Sequence, residues 1–339
     1  MRTQTFLPAA LAAIFILPAQ AQMPNASQQV ESLQQRNQIQ QSEPFLGTNI
    51  PALYEGESSD IGPQSVVEVK PRRTWIEAYG DEQYFYTDNL FLAGQNKQGA
   101  DVLVSTVQAA LAPTPFDFHG GQLAPRIGYQ QQWLNFDLAR SDTVPVYYFN
   151  NGMIQNNRLD SFDFNVSTVF GDVTWRRQNW LFTVGADYRT LLDSGTYDAF
   201  YHEYVPRLSV VRDFPLSATK DISIGYEGDY RFTDTWNPPT GYGGDYNDRT
   251  DQGVFVVGNW RLCQYAILQP FYRFEYSHYT ALHRDDFLHS MGLTVYFPVT
   301  KNVALRGFIG YDDLNTDGLF AQDYEKLDAG GGLNLFVRF

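Results

Sequence analysis

From Trp75 to Phe339 the chain alternates apolar and polar residues with a period of two, segment after segment. Past the first twenty or so residues it holds no apolar run approaching the ~18 to 20 that a membrane-spanning helix needs. A period of two puts neighbouring side chains on opposite faces of a strand. The clearest case sets Ile222, Ile224, Tyr226, Gly228, Tyr230 and Phe232 against Ser223, Gly225, Glu227, Asp229 and Arg231. Phe182, Val184, Ala186 and Tyr188 likewise oppose Thr183, Gly185, Asp187 and Arg189, and Pro270, Tyr272, Phe274 and Tyr276 oppose Gln269, Phe271, Arg273 and Glu275. A soluble sandwich also alternates, but it does not repeat ionised residues along one face beneath an apolar face topped by aromatics. Strands that cross a bilayer must pair every backbone group and therefore close on themselves.

About twelve such segments can be counted, centred near Tyr84, Ser105, Gly128, Asn165, Gly185, Arg207, Gly225, Val257, Arg273, Leu293, Phe308 and Leu333. The fold class is all-β: a single-chain antiparallel transmembrane β-barrel over residues 74–339, with ten or fourteen strands as alternatives. Connections alternate in length, as periplasmic turns and external loops do. They are short at Arg176 to Asn179, Pro215 to Lys220, Leu262 to Ala266 and Pro298 to Asn302, and long at Ala139 to Leu159, Asp234 to Asp251 and Asp313 to Glu325. Pro113 to Gln122 is long for a turn, and Trp75 to Leu92 is long for one strand. Aromatics are 16% of the chain, yet a mean hydropathy of -0.34 is too polar for a helical bundle. Trp175 and Trp180 bracket one short turn, and Trp260 and Tyr265 another, as a girdle at one water interface would. Tyr188, Tyr204, Tyr230, Phe232 and Tyr276 belong to the opposite belt.

Met1 to Ala21 has Arg2, an apolar stretch from Phe6 to Leu17 and an Ala19-Gln20-Ala21 ending, and is expected to be a signal peptide cleaved before Gln22. Residues 22–73 are Gln- and Pro-rich and read as a periplasmic linker, with a plug of the barrel as the alternative. Val30, Leu33 and Asn37 could seed one or two helical turns there, too few for a coiled coil. A net charge of -14 excludes a nucleic-acid partner. Cys263 is alone, which excludes an internal disulfide or a Cys-based zinc site.

The closing Gly-Leu-Asn-Leu-Phe-Val-Arg-Phe, with Leu333, Leu335, Val337 and Phe339 on one face and Asn334 and Arg338 on the other, resembles the C-terminal strand by which outer-membrane proteins are recognised for insertion. Tyr84-Phe85-Tyr86-Thr87-Asp88-Asn89-Leu90-Phe91-Leu92 resembles an early strand of the putative β-barrel porin families of Gram-negative bacteria. The resemblance implies residence in the outer membrane among lipid and lipopolysaccharide, delivery by the barrel assembly machinery, and a porin-like fold more firmly than any solute.

No catalytic residue is expected. His289 and Ser290 are adjacent and so face opposite ways, and His283 with Asp285 lacks a partner acidic pair. Asp313, Asn315 and Asp317 match the opening of a calcium loop, but the twelfth position is Tyr324, so an ordinary Asx-rich turn is the leading reading and calcium the alternative. No other cofactor is implied. Arg126, Asp187, Arg189, Glu203, Arg207, Glu227, Asp229, Arg231, Arg273, Glu275, Arg306, Asp328 and Arg338 are expected to line the lumen in pairs across neighbouring strands, with Arg207 beside Glu227 and Asp229. The expected function is a porin-like channel for small polar or charged solutes. The alternative is a non-conducting barrel whose external loops bind a partner or polysaccharide.

Overall fold

A computed structural model describes residues 26–33, 75–138, 143–148, 153–236, 242–263, 265–300, 302–318 and 321–339. The expected signal peptide, Asn37 and all of the linker except its short helix lie outside the described residues. Among the described residues one α-helix, α1, spans residues 26–33. The strands are β1 (Ile76–Thr87), β2 (Ala100–Leu111), β3 (Phe116–Phe118), β4 (Gly121–Phe136), β5 (Thr143–Tyr148), β6 (Met153–Arg158), β7 (Phe164–Arg177), β8 (Trp180–Asp193), β9 (Ala199–Ser217), β10 (Lys220–Thr235), β11 (Arg249–Cys263), β12 (Ala266–Tyr279), β13 (Arg284–Pro298), β14 (Val303–Thr316) and β15 (Tyr324–Arg338).

Twelve of these form a closed antiparallel barrel. From β7 to β15 each strand pairs with its successor, β4 pairs with β7 and with β2, and β1 joins β2 to β15. The seam runs from Glu77 opposite Arg338 to Thr87 opposite Asp328. At its foot Phe339 donates its N–H to the Ile76 carbonyl at 2.9 Å and accepts from Trp75 N–H at 2.8 Å. Closure of this kind leaves no unpaired edge, which is what hydrocarbon demands of a sheet.

The pleat sorts side chains as a bilayer requires. Ile127, Val169, Val173, Val184, Leu208, Ile224 and Val254 are exposed on the outer surface, while Gln83, Gln132, Gln269 and Glu203 are fully buried inside. A soluble barrel would reverse that arrangement, so the outer surface is a lipid face.

Several connections differ from the sequence expectation. The stretch after β2 is long because β3 folds back onto β4 through His119 and Gly120, both at positive φ. The β4–β7 connection carries the β5–β6 hairpin and a 3-10 turn, Leu159–Phe162. Asn165 is the second residue of β7 and not its centre, and β14 continues to Thr316 where a loop from Asp313 was expected.

Ala186 lies outward, opposite Gly171 and Pro206, whereas Thr183 meets Thr174 inside, hydroxyl to hydroxyl at 3.1 Å. Ala186→Arg should therefore cost about 2 to 4 kcal/mol near the bilayer midplane, and Thr183→Arg far less. Urea unfolding of both variants in liposomes measures the difference, and equal losses would mean that the two faces are assigned the wrong way round.

Candidate functional site: a charged lumen closed by a helix

Inward-facing charges are gathered into pairs that surround the short-turn half of the lumen and lie mainly on β8 to β15 in the long-loop half. Toward the short-turn end, Arg126 Nη2 donates to Asp172 at 3.0 Å and Arg338 Nε lies 3.3 Å from Glu77. Arg207 reaches Asp187 at 3.1 Å and Asp172 at 3.4 Å, although its backbone register partner on β10 is Asp229. The expectation that Arg207 would pair with Glu227 and Asp229 is corrected here. Glu227 is held by Arg273, and Asp229 lies 3.3 Å from Arg231 Nε. Facing Arg207 across the β8–β9 ladder is Gly185, where an added Cβ would come within 2.8 Å of Asp172 Cβ. Without a side chain at that position the guanidinium crosses β8 and reaches β7. Arg306 crosses β15 in the same way, opposite Gly332, to donate to Asp81 on β1 at 2.8 Å.

Toward the long loops the network tightens. Arg189 pairs with Glu203, Arg273 with Glu275, and Arg284 with Asp286, while Lys326 Nζ lies 3.0 Å from Asp312 and 3.3 Å from Asp328. Arg231 and Arg249 are register partners on β10 and β11. Both donate through Nε to Asp251, at 2.5 and 3.0 Å. Their remaining Nη2 groups converge on Glu31 of α1, at 2.6 and 2.5 Å. Planar guanidiniums suit such two-point grips on carboxylates.

Helix α1 sits in the long-loop half of the lumen because the wall there is two-sided. On β1, β2, β4, β7 and β8 the inward face is apolar, with Phe85, Val102, Val104, Leu134, Phe136, Phe164, Val166 and Leu191, and it packs with Ala26, Val30 and Leu33 in one buried cluster. Those helix positions follow i, i+4, i+7 spacing and form one stripe. Glu31 and Ser27 occupy the adjacent stripe, which lets Glu31 meet the charged wall. Ser32 Oγ accepts from Lys326 Nζ at 3.1 Å, and the Gln29 side chain donates to the Leu90 carbonyl.

Solvent access follows this division. The side chains of Arg126, Arg338 and Arg207 keep 38%, 31% and 23% of their exposure, whereas Arg231 and Arg249 beside α1 keep 7% and 3%. The rim at the short-turn end is thus wetted, whereas Arg306 and Asp81 deeper in that half are as buried, at 1% and 0%, as the groups beside α1. Burial pushes the Glu31 carboxyl up to about 7; the two guanidiniums pull against that rise, and Glu275 and Asp251 add to it.

The girdle residues Trp175, Trp180, Trp260 and Tyr265 all fall at the short-turn end, where Trp175 and Trp180 flank the Phe182 ring at 5.4 and 5.9 Å. Leu333, Leu335 and Phe339 are exposed on the outer face of β15, and Val337 is half-buried on the same face. Asp313 and Asn315 lie in extended strand, where i and i+2 are about 6.6 Å apart, and Asp317 accepts from the Asp285 N–H at 2.7 Å. That segment is not drawn round a cation. Among the described residues, the acidic group close enough to hold one is Glu31, Asp251 and Glu275, and Arg231 and Arg249 already supply its positive charge. His289 faces outward, 2.8 Å from Tyr272 Oη, while Ser290 is buried inside. Asp285 is engaged by His278 at 2.7 Å and Tyr276 at 2.8 Å, not by His283.

No family model matches the chain, and no curated protein does. Among solved structures the chain is similar to the β-domain of the Bordetella autotransporter BrkA, with 12% identity over 78% of this chain and 99% of that one at a TM-score of 0.41. It is similar to the KdgM porin in complex with disordered oligogalacturonate, with 11% identity over 76% and 98% at 0.38. It is also similar to a bacterial polysaccharide outer membrane secretin, with 10% identity over 78% and 99% at 0.42. All three are outer-membrane β-barrels, and at this level the likeness is one of barrel form alone.

The seating of α1 should depend on pH. Glu31 holds its proton more tightly when docked, at about 7, than a free glutamate does at 4.5. The sign follows from linkage: docking is strongest below the free value and weakens as pH rises through the docked one. A Val30→Cys reporter in a Cys263→Ser background should react with maleimide faster as pH is raised from about 5 to about 8, with rates normalised to the same thiol in the unfolded chain. A flat or falling normalised rate would mean that Glu31 does not govern docking.

Proposed function

We propose that the chain is an outer-membrane channel for small polar or charged solutes that rests closed, with α1 as the closing element. In this reading residues 1–21 direct export, and Leu333, Leu335, Val337 and Phe339 present the strand by which the assembly machinery inserts the barrel among lipid and lipopolysaccharide. Supporting it above all is the lane of paired charges from Arg126, Asp172 and Arg207 through Glu227 and Arg273 to Arg284 and Asp286 at the long-loop rim. Burying paired charges gains little over packed apolar filler, so a lane of this extent suits a path that water enters.

A second reading, a non-conducting barrel presenting its external loops, draws on the apolar seat of α1. Fully burying an aliphatic side chain such as Val30 or Leu33 is worth about 1.5 to 3 kcal/mol, which favours a permanently seated helix. Single-channel recording in planar bilayers separates the two. Wild type should be mostly silent with rare openings, and deletion of residues 22–33 should give steady conductance steps whose ion preference shifts when Arg207 is replaced by Met. Silence from both chains, each correctly folded, would leave the non-conducting barrel.

A further inference from the structure

The grip on Glu31 is built by the barrel wall and not by the helix. Arg231 and Arg249 stand opposite one another on adjacent strands, and Asp251 takes the Nε of each. With Nε so occupied, both Nη2 groups are turned into the lumen, where they meet one carboxylate from two sides. Tyr279 braces one member of the pair, with the Arg249 guanidinium 5.2 Å from its ring centroid. A prearranged two-guanidinium fork is a receptor for a carboxylate whatever carries it.

We propose that Arg231 and Arg249 form a binding site for the carboxylate of a small hydrophilic acid, and that Glu31 occupies this site in the solute's place when the barrel is closed. The proposal rests on the channel reading only in requiring that solute reach the lumen. Glu31 arrives enclosed by its helix and carries the full cost of losing water. A small acid that takes the place of α1 meets the fork with water where the helix stood, keeps part of its hydration and avoids most of that cost. The solute and the helix therefore compete for one pair of guanidiniums, and binding of the acid would unseat α1 by mass action. Recognition and opening become a single exchange of carboxylates.

The full-length Val30→Cys, Cys263→Ser chain in detergent serves as the test, with maleimide labelling as the readout and sodium gluconate as the probe. Sodium chloride at equal ionic strength controls for charge screening, and glucitol controls for the polyol. With gluconate at ten times its Kd the open fraction, and with it the labelling rate, should rise about tenfold. Chloride and glucitol should leave it near the basal rate. Adding Glu31→Ala should raise the basal rate and lower the gluconate concentration needed, because nothing then fills the fork and its two guanidiniums lack a partner. Adding Arg249→Gln should raise the basal rate and abolish the gluconate response.

Equal acceleration by chloride and gluconate would reduce the effect to screening and overturn the proposal. So would an undiminished gluconate response in the Arg249→Gln chain. Should that chain fail to fold, the Glu31→Ala chain, whose wall is intact, decides the matter through its shifted gluconate dependence, and an unshifted one overturns the idea. A gluconate response from chains that stay silent in bilayers would keep the site and discard the channel. Conducting chains with no gluconate response would do the reverse.

Discussion

Backbone pairing is the constraint from which the rest of this structure descends. A strand in hydrocarbon cannot leave an N–H or carbonyl unpaired, so β1 must find β15 after more than two hundred residues of intervening chain. Once the sheet is closed the pleat has no further freedom, and each residue is committed to lipid or lumen by its parity along the strand. The alternation of Ile222 to Phe232 with Ser223 to Arg231 is a consequence of that commitment. So is the concentration of arginines and carboxylates inside, because the lumen is the one place in the spanning region where charge can find charge or water.

How those charges pair depends on which inward positions lack a side chain. Arg207 and Arg306 each face a glycine, Gly185 and Gly332, and each reaches past it to a carboxylate two strands away. Where the register partner is itself the carboxylate, as for Arg189 with Glu203 or Arg126 with Asp172, the pair stays between adjacent strands. Gly253 on β11 likewise leaves room between Arg273 and Glu227, so glycine at these sites sets the reach of the network and links pairs that would otherwise stand apart.

This also marks what could be read from the sequence and what could not. Parity gave the twelve segments, their faces and the inward position of residues such as Glu227, Arg231 and Arg273, since a period of two survives whatever the neighbours do. Partners were less legible, because Arg207 on β9 has inward carboxylates on both neighbouring strands, Asp187 on β8 and Asp229 on β10, and parity does not choose between them. Asp172, Arg249, Asp251, Arg284 and Asp286 were missed as lumen residues. For Arg249 with Asp251 and Arg284 with Asp286 there was a signal, an i, i+2 pair of opposite charges at the start of a strand that follows an external connection. The seat of α1 also left a trace in β2, where Val102 and Val104 are apolar on the inward face while Leu103 and Val107 are apolar on the outer one. A strand greasy on both faces in a polar-lined barrel announces that something covers it from within.

Helix α1 answers that demand with one apolar stripe and one carboxylate, and the two parts act differently. The stripe of Ala26, Val30 and Leu33 gains from any snug apolar contact and carries no titrating group, so its hold does not change with pH. Glu31 adds little net energy, since its burial works against its two ion pairs, but it is specific: the Arg231–Arg249 fork offers it two guanidinium groups turned into the lumen. The stripe keeps the helix in the barrel, and the carboxylate fixes where in the barrel it stops. A closing element whose position is set by a weak, exchangeable contact and whose residence is set by a strong, featureless one can yield to a competing acid without leaving the lumen altogether.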